Sequence, residues 1–327
     1  MKLATLKSAS SRDGELVVVS RDNKFYTSAS DICKNMIAAL DSWAKIEPLL
    51  KKRSDDLNSG AILQKFEIKN FQNFESALPR TWLFADGSAF IHHIKLVRKA
   101  RKAALPETLL TTPLMYQGES GRFLAPNENI PQRDFSHGTD FEAEVAVIVD
   151  DVPMGVTAEE ALNHIKLVVI LNDVSLRGLI PEELANGFGF FQSKPNTALS
   201  PMAVTLDELD VHWSNGRLHL PLQVKYNHEF FGKANANEMH FHFGQLIAHA
   251  AKTRPLTAGS IIGSGTVSNE DPAMGSSCLA EKRTLEQINS GNPVTPYMKI
   301  GDTIEIEMLD LHGNNIFGTI SQKVVQA

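Results

Sequence analysis

The run DFEAEVAVIV, residues 140–149, constrains the fold more than any other part of the chain. It is rich in valine, alanine and isoleucine and reads as a β-strand, in which successive side chains alternate between faces. Phe141, Ala143, Val145, Val147 and Val149 share one face, and Glu142, Glu144, Ala146 and Ile148 share the other. Both faces become apolar within a few residues, the pattern of a strand covered on both sides. Yet the strand carries two like charges roughly 7 Å apart on one face. On the solvent side of an amphipathic strand such a pair would be ordinary. Buried beside Ala146 and Ile148, it is costly unless a cation neutralises it. Carboxylate oxygens suit Mg²⁺, Mn²⁺ or Ca²⁺, but two ligands are too few, so a further acid is expected at the end of a neighbouring strand. Asp173, directly after the apolar run LVVILN, is the candidate.

With 327 residues and 43% hydrophobic content the chain can bury a large core, in one large domain or two. A net charge of -6 supplies no basic field for a phosphate backbone, which argues against nucleic acid as a partner. No run approaches eighteen apolar residues, and the start MKLATLKSASSRDGEL lacks the apolar core of a signal peptide, so a cytoplasmic protein without a membrane segment is expected. Cys33 and Cys278 match no metal-ligand spacing and are expected to be free thiols.

The chain divides into a small N-terminal α+β part, residues 1–78, and a larger part, residues 79–327. In the first, GELVVVSRDNKFYTSA reads as a hairpin turning at residues 21–23. Ile32, Met36, Leu40, Trp43 and Ile46 then follow a helical period, closed by the polar stretch 51–60. Residues 90–104 form a further helix candidate with Ser88 as a possible cap. Its basic positions Lys95, Arg98, Lys99, Arg101 and Lys102 read as a solvated face, although they could attract an anion. From residue 140 the chain is rich in strands: KLVVILNDVSL, HLPLQVKYN, GSIIGSGTVS and a terminal hairpin turning at residues 313–315. Helices are expected over 157–165 and 243–252, and the mixture predicts a β-rich α+β fold. His240 and His242 have the spacing of a two-histidine metal arm but lack a third soft ligand. No serine elbow, Walker loop or zinc-protease motif is present.

DFEAEVAVIV, LNDVSLRG, SKPNTALSP and GSGTVSNED, in that order and spacing, resemble the fumarylacetoacetate hydrolase family over about residues 80–322. The resemblance implies a mixed β-sandwich or β-roll behind a small N-terminal domain. It implies a divalent cation, Mg²⁺ favoured with Ca²⁺ or Mn²⁺ as alternatives, held by Glu142, Glu144, Asp173 and Asp86, the last seven residues before His93. It assigns His93 as the base that activates water, Glu281 as its partner, and Lys194 as the group that stabilises charge on a substrate oxygen. Arg177, Thr266 and Tyr116 become substrate contacts, with Gly263 and Gly265 allowing close backbone approach. It further implies a homodimer.

The chain departs from the fumarylacetoacetases proper at Ile180 and Leu184, where they carry glutamine and tyrosine, and at Glu119, where they carry arginine. The expected activity is therefore cleavage of a carbon-carbon bond in a β-diketo acid, fumarylacetoacetate first, with an altered acyl group as an open alternative. An acylpyruvate (fumarylpyruvate) hydrolase, a 2-oxo acid decarboxylase or a hydratase would keep the same acids. A metal-stabilised binding module would need the acids but neither His93 nor Lys194. A nucleotide-binding protein using GSGTVS would need a helix directly after it, which NEDPAMG does not supply.

Overall fold

The fold is seen in a computed structural model that describes residues 1–100 and 104–327. Two large sheets, two small two-stranded ones and a few helices make it β-rich α+β. The larger sheet runs in the order Phe66–Glu67, Phe25–Ser28, Glu15–Val19, Lys2–Leu6, Met202–Val204, Ile165–Asn172, Ala143–Val149, Ile261–Gly263, Phe84–Gly87 and Met115–Gly118. Its pairs are antiparallel except Ile261–Gly263 with Phe84–Gly87, which is parallel. Lys2 pairs with Val204, so the N-terminal strands extend the sheet that holds the acidic strand. The second sheet runs Glu229–Asn235, Pro221–Tyr226, Thr303–Met308, Ile320–Gln326 and Ile130–Gln132.

The strand Ala143–Val149 is buried throughout because both its faces are covered. Val145, Val147 and Val149 join a core with Leu222, Val224, Ile304, Ile306 and Ile320 of the second sheet. Ala146 and Ile148 join Leu40, Trp43 and Leu50 of the N-terminal helices in another core. The stretch 140–149 is nevertheless not one continuous strand. Thr139–Asp140 pairs with Ser175–Leu176, the chain then crosses at Phe141 and Glu142, and Glu142 makes an isolated bridge to Cys278 before the main strand begins. A change of partner breaks the regular pleat there.

Several helix boundaries differ from expectation. The period through Ile32 and Ile46 splits into Met36–Leu40, capped by the Asn35 side chain, and Trp43–Asn58. The polar stretch 51–60 does not close the second helix; it stays helical to Asn58 because Ser54 and Leu57 remain buried while Lys51, Lys52 and Asp55 face solvent. The 157–165 helix is a single turn, Ala158–Ala161, with a Thr157/Glu160 capping box, followed by a 3-10 turn before Ile165 opens the next strand. The expected 243–252 helix runs Phe243–Ala250. The 90–104 helix is Ile91–Ala100, and the readings for Arg101 and Lys102 lie outside the described residues. Lys95 and Lys99 are exposed, whereas Arg98 is half-buried. The helices Ile180–Asn186 and Leu279–Ser290 were not anticipated. Among the described residues no helix is long and apolar enough to cross a membrane, and Cys33 and Cys278 are free.

Candidate active site

Sheet register brings the acids together. Gly263 stands opposite Ala146 on one side and Asp86 on the other, and Asp86 faces Tyr116 on the next strand. Across the central strand Glu144 stands opposite Leu171, two residues before Asp173. The missing side chain at position 263 is what admits Asp86: a Cβ there would lie 2.2 Å from Asp86 Oδ1. Gly265, at φ +75°, brings its N–H to Asp86 Oδ1 at 3.0 Å, and a Cβ there would meet Gly87 O at 2.3 Å.

Asp86, Glu144 and Asp173 offer carboxylate oxygens that all lie within 4.8 Å of one another, and all three residues are buried. No N–H or hydroxyl donor reaches either oxygen of Glu144. Burial, then the Asp173 charge, push the Asp86 carboxyl up to about 8. Glu144 rises well above the usual carboxylate range from burial and from Asp86 and Asp173. Three crowded hard carboxylates, with both oxygens of Glu144 lacking any partner, fit a hard divalent cation, which would remove both the repulsion and the Glu144 deficit.

Glu142 lies beside this trio but faces cations of the chain itself. Lys194 Nζ donates to Glu142 Oε2 at 2.5 Å, to Asp173 Oδ2 at 2.6 Å and to Ser175 Oγ at 2.8 Å. Arg177 donates from Nη2 to Glu142 Oε1 at 2.7 Å and from Nε to Asp140 Oδ2 at 2.8 Å. Burial raises the Glu142 carboxyl, but Arg177 and Lys194 outweigh it and hold the group well below its ordinary range. Burial lowers Lys194, and Asp173 and Glu142 outweigh that in turn. All three Lys194 protons are thus spent on the protein, so contact with a substrate oxygen requires it to give up one acceptor.

The third part is a dyad. His93 on the helix Ile91–Ala100 faces Glu281 in the first turn of Leu279–Ser290, with Nδ1 and Glu281 Oε2 2.8 Å apart. Glu281 is 2% exposed, so its carboxylate is reserved for the imidazole rather than for water. His93 of the dyad and the acids Asp86 and Glu142 border one cavity of about 490 Å³, with Glu281, Glu144 and Asp173 buried behind them. Arg177, Lys194, Tyr116 and Thr266 line it, as do the apolar Ile94, Val97, Ile180, Leu184 and Phe190. Glu119 does not; it caps the nearby Gly121 N–H. His240 bonds the Leu110 carbonyl, and neither His240 nor His242 belongs to a group of three potential metal ligands among the described residues.

The structure adds residues that were not singled out from sequence. Thr197 Oγ1 donates to Asp173 Oδ1 at 2.6 Å and Ser175 Oγ accepts from Lys194, while Tyr116, expected as a substrate contact, lines the cavity and donates its hydroxyl to Asp173 Oδ2. Thr197 and Ser175 sit inside SKPNTALSP and LNDVSLRG, so the motifs contained them without marking them. Asp140, fully buried, accepts from Arg177 and from the backbone N–H groups of Leu279 and Ala280.

Residues 83–325 match the family model for the fumarylacetoacetate hydrolase C-terminal domain, and residues 1–80 match that for fumarylacetoacetase N-terminal domain 2. Fumarylacetoacetase from Caenorhabditis elegans is 24% identical, covering 89% of this chain and 81% of that protein. A mitochondrial oxaloacetate tautomerase from Xenopus laevis is 24% identical, covering 65% of this chain and 58% of that protein. Maleylpyruvate hydrolase from Sphingobium sp. SYK-6, solved with manganese(II) and pyruvate, shares the fold at a TM-score of 0.67 and 17% identity, with all of both chains covered. On the match of its larger part, the chain belongs to the fumarylacetoacetate hydrolase family.

Proposed function

We propose that the protein is a divalent-cation-dependent hydrolase that cleaves a carbon-carbon bond in a β-diketo acid, with fumarylacetoacetate, giving fumarate and acetoacetate, as its substrate. The observation that carries this reading is the His93–Glu281 dyad at a cavity lined by Asp86 and Glu142, beside the crowded buried carboxylates of Glu144 and Asp173. Asp86, Glu144 and Asp173, with Glu142 adjoining, would hold the cation, Mg²⁺ favoured and Mn²⁺ or Ca²⁺ as alternatives. When bound, the cation supplies Lewis acidity to the oxo-acid end of the substrate.

Glu281 accepts the Nδ1–H of His93 and so leaves Nε2 free to take a proton from water. The resulting hydroxide adds to the remote carbonyl. Collapse of the adduct breaks the carbon-carbon bond, its electron pair passes to the neighbouring carbonyl as an enolate, and the proton held on Nε2 completes the ketone. Arg177, with Nε and one Nη2 proton committed to Asp140 and Glu142, has N–H groups left for a substrate carboxylate. Arg98 and Arg283 border the same cavity and have no carboxylate partner among the described residues. Two such cations beyond an apolar waist of Ile94, Val97 and Ile180 favour a substrate with a second carboxylate at its far end. That supports fumarylacetoacetate or fumarylpyruvate over acetylpyruvate, and links the enzyme to aromatic amino-acid breakdown. A cytoplasmic homodimer belongs to the same proposal.

Turnover of fumarylacetoacetate, fumarylpyruvate, acetylpyruvate and oxaloacetate, with added Mg²⁺ or Mn²⁺ and again after chelation, tests the reading. Cation-dependent cleavage of the dicarboxylic β-diketo acids is expected. Loss of carbon dioxide from oxaloacetate alone would replace the hydrolase with a decarboxylase, and no turnover across the panel would remove the enzymatic reading.

A further inference from the structure

We infer that Asp140 is a positioning residue that fixes the His93–Glu281 dyad and the Arg177 substrate anchor to one another. This rests on reading His93 and Glu281 as the base and its partner. Asp140 is wholly buried between the two. Its Oδ1 accepts the Leu279 N–H at 2.8 Å and its Oδ2 the Ala280 N–H at 2.9 Å, the first two residues of the helix that carries Glu281. The next N–H, that of Glu281, goes to Cys278 Sγ at 3.3 Å. A carboxylate on the first N–H groups of a helix satisfies orphan donors and complements the helix dipole, so it sets where the first turn lies. Glu281 is in that turn and can meet His93, on another helix, only if the turn is held in place.

The same Oδ2 accepts from Arg177 Nε at 2.8 Å, which orients the guanidinium whose other end reaches Glu142. Asp140 also sits at the partner change that precedes the central strand. One carboxylate thus ties together the helix of the dyad, the anion-binding arginine and the start of the acidic strand. Oδ2 has two donors, and Asp140 is not among the described residues that line the cavity, so it acts through its neighbours and not on substrate.

Asp140→Asn keeps one oxygen acceptor but sets an NH₂ group against the Ala280 and Arg177 donors, which forces one of them to move. The first readout needs no substrate: the His93 Nδ1 proton resonance in the folded protein, with Glu281→Gln as reference for a broken dyad. Asp140→Asn is expected to shift that resonance toward the Glu281→Gln position. A His93 resonance at the wild-type position in Asp140→Asn overturns the inference, whatever the fate of the proposed activity. With a working substrate, Asp140→Asn is expected to lower kcat by roughly 10- to 100-fold, the range for groups that orient a reacting residue from behind. In an Glu281→Gln background the same change should cost kcat little further, and full multiplicative loss there would also overturn it. If Asp140→Asn does not fold, the pair Asp140→Asn with Arg177→Gln removes both buried charges together and is read the same way. Collapse of that pair too would make Asp140 a support of the domain rather than of the dyad.

Discussion

The two glutamates of the central strand occupy opposite electrostatic settings. Glu142 is surrounded by cations the chain supplies, Arg177 and Lys194, and both its oxygens are engaged. Glu144, two residues along, has only other carboxylates, Asp86, Asp173 and Glu142, acting on its charge and no hydrogen-bond donor among the described residues. Lys194 marks the border, since it bridges Glu142 to Asp173 and leaves Asp86 and Glu144 beyond. Burial costs both corners the same kind of desolvation energy, but one is neutralised from within and the other awaits neutralisation from outside. The chain thereby builds a closed ion-pair network and a candidate cation site from a single E-x-E strand.

Breaking the open corner has the largest expected effect. Glu144→Gln or Asp173→Asn should weaken Mn²⁺ binding in calorimetry by more than the roughly 100-fold that loss of an outer-sphere partner costs, and abolish turnover. Equal loss of cation affinity in Glu142→Gln would erase the division between the corners. His93→Ala should lower kcat by roughly 100- to 10,000-fold while the Mn²⁺ affinity stays unchanged, and a parallel fall in affinity would place His93 among the ligands. At the closed corner Arg177→Met leaves Asp140 and Glu142 without their shared cation. Urea unfolding should show a loss of about 3–5 kcal/mol, against no loss if the arginine served substrate alone.

Metal removal is next in size. Cation at a hundred times its Kd should stabilise the wild type by about 2.7 kcal/mol, a shift lost on chelation and absent from Glu144→Gln in thermal melts. A comparable effect, spread over a pH window, concerns Lys2, a buried lysine that contrasts with Lys194. Its ammonium bonds only the Asn23 amide oxygen and the Asn315 carbonyl, and burial, partly offset by Glu208, Asp310 and Asp22, lowers it to about 8. The folded pKa is below the ordinary 10.5, so between those values the unfolded chain binds more protons and stability should rise with pH. The gain is roughly 3 kcal/mol, complete above pH 10.5 and absent below about pH 8. Lys2→Met should flatten the urea midpoint over that window, and an unchanged slope would assign it to other groups.

The buried strand and its two carboxylates were legible because alternation and apolar density are local properties, and burial of all of Ala143–Val149 follows from them. Asp173 was legible as the polar residue that ends an apolar run, and the spacing of Asp86 and His93 as part of a family pattern. The helix Trp43–Asn58 was cut short in the sequence reading because LKKRSDDLN is polar by count, and only the burial of Ser54 and Leu57 reveals its inner face. Leu279–Ser290 was missed because a charged surface helix with a short apolar stripe carries little periodic signal.

By itself the sequence determined that acids would be buried in a β-rich core and that a cation had to be reckoned with, since those consequences follow from composition and period along one strand. Which acids remain open and which are closed was decided by tertiary structure alone. The deciding contacts join residues remote along the chain: Glu281 with His93 across 188 positions, Asp140 with Leu279 across 139, Lys194 with Glu142 across 52. Their ångström-scale placement depends on how helices and sheets pack, a collective property that no local pattern encodes.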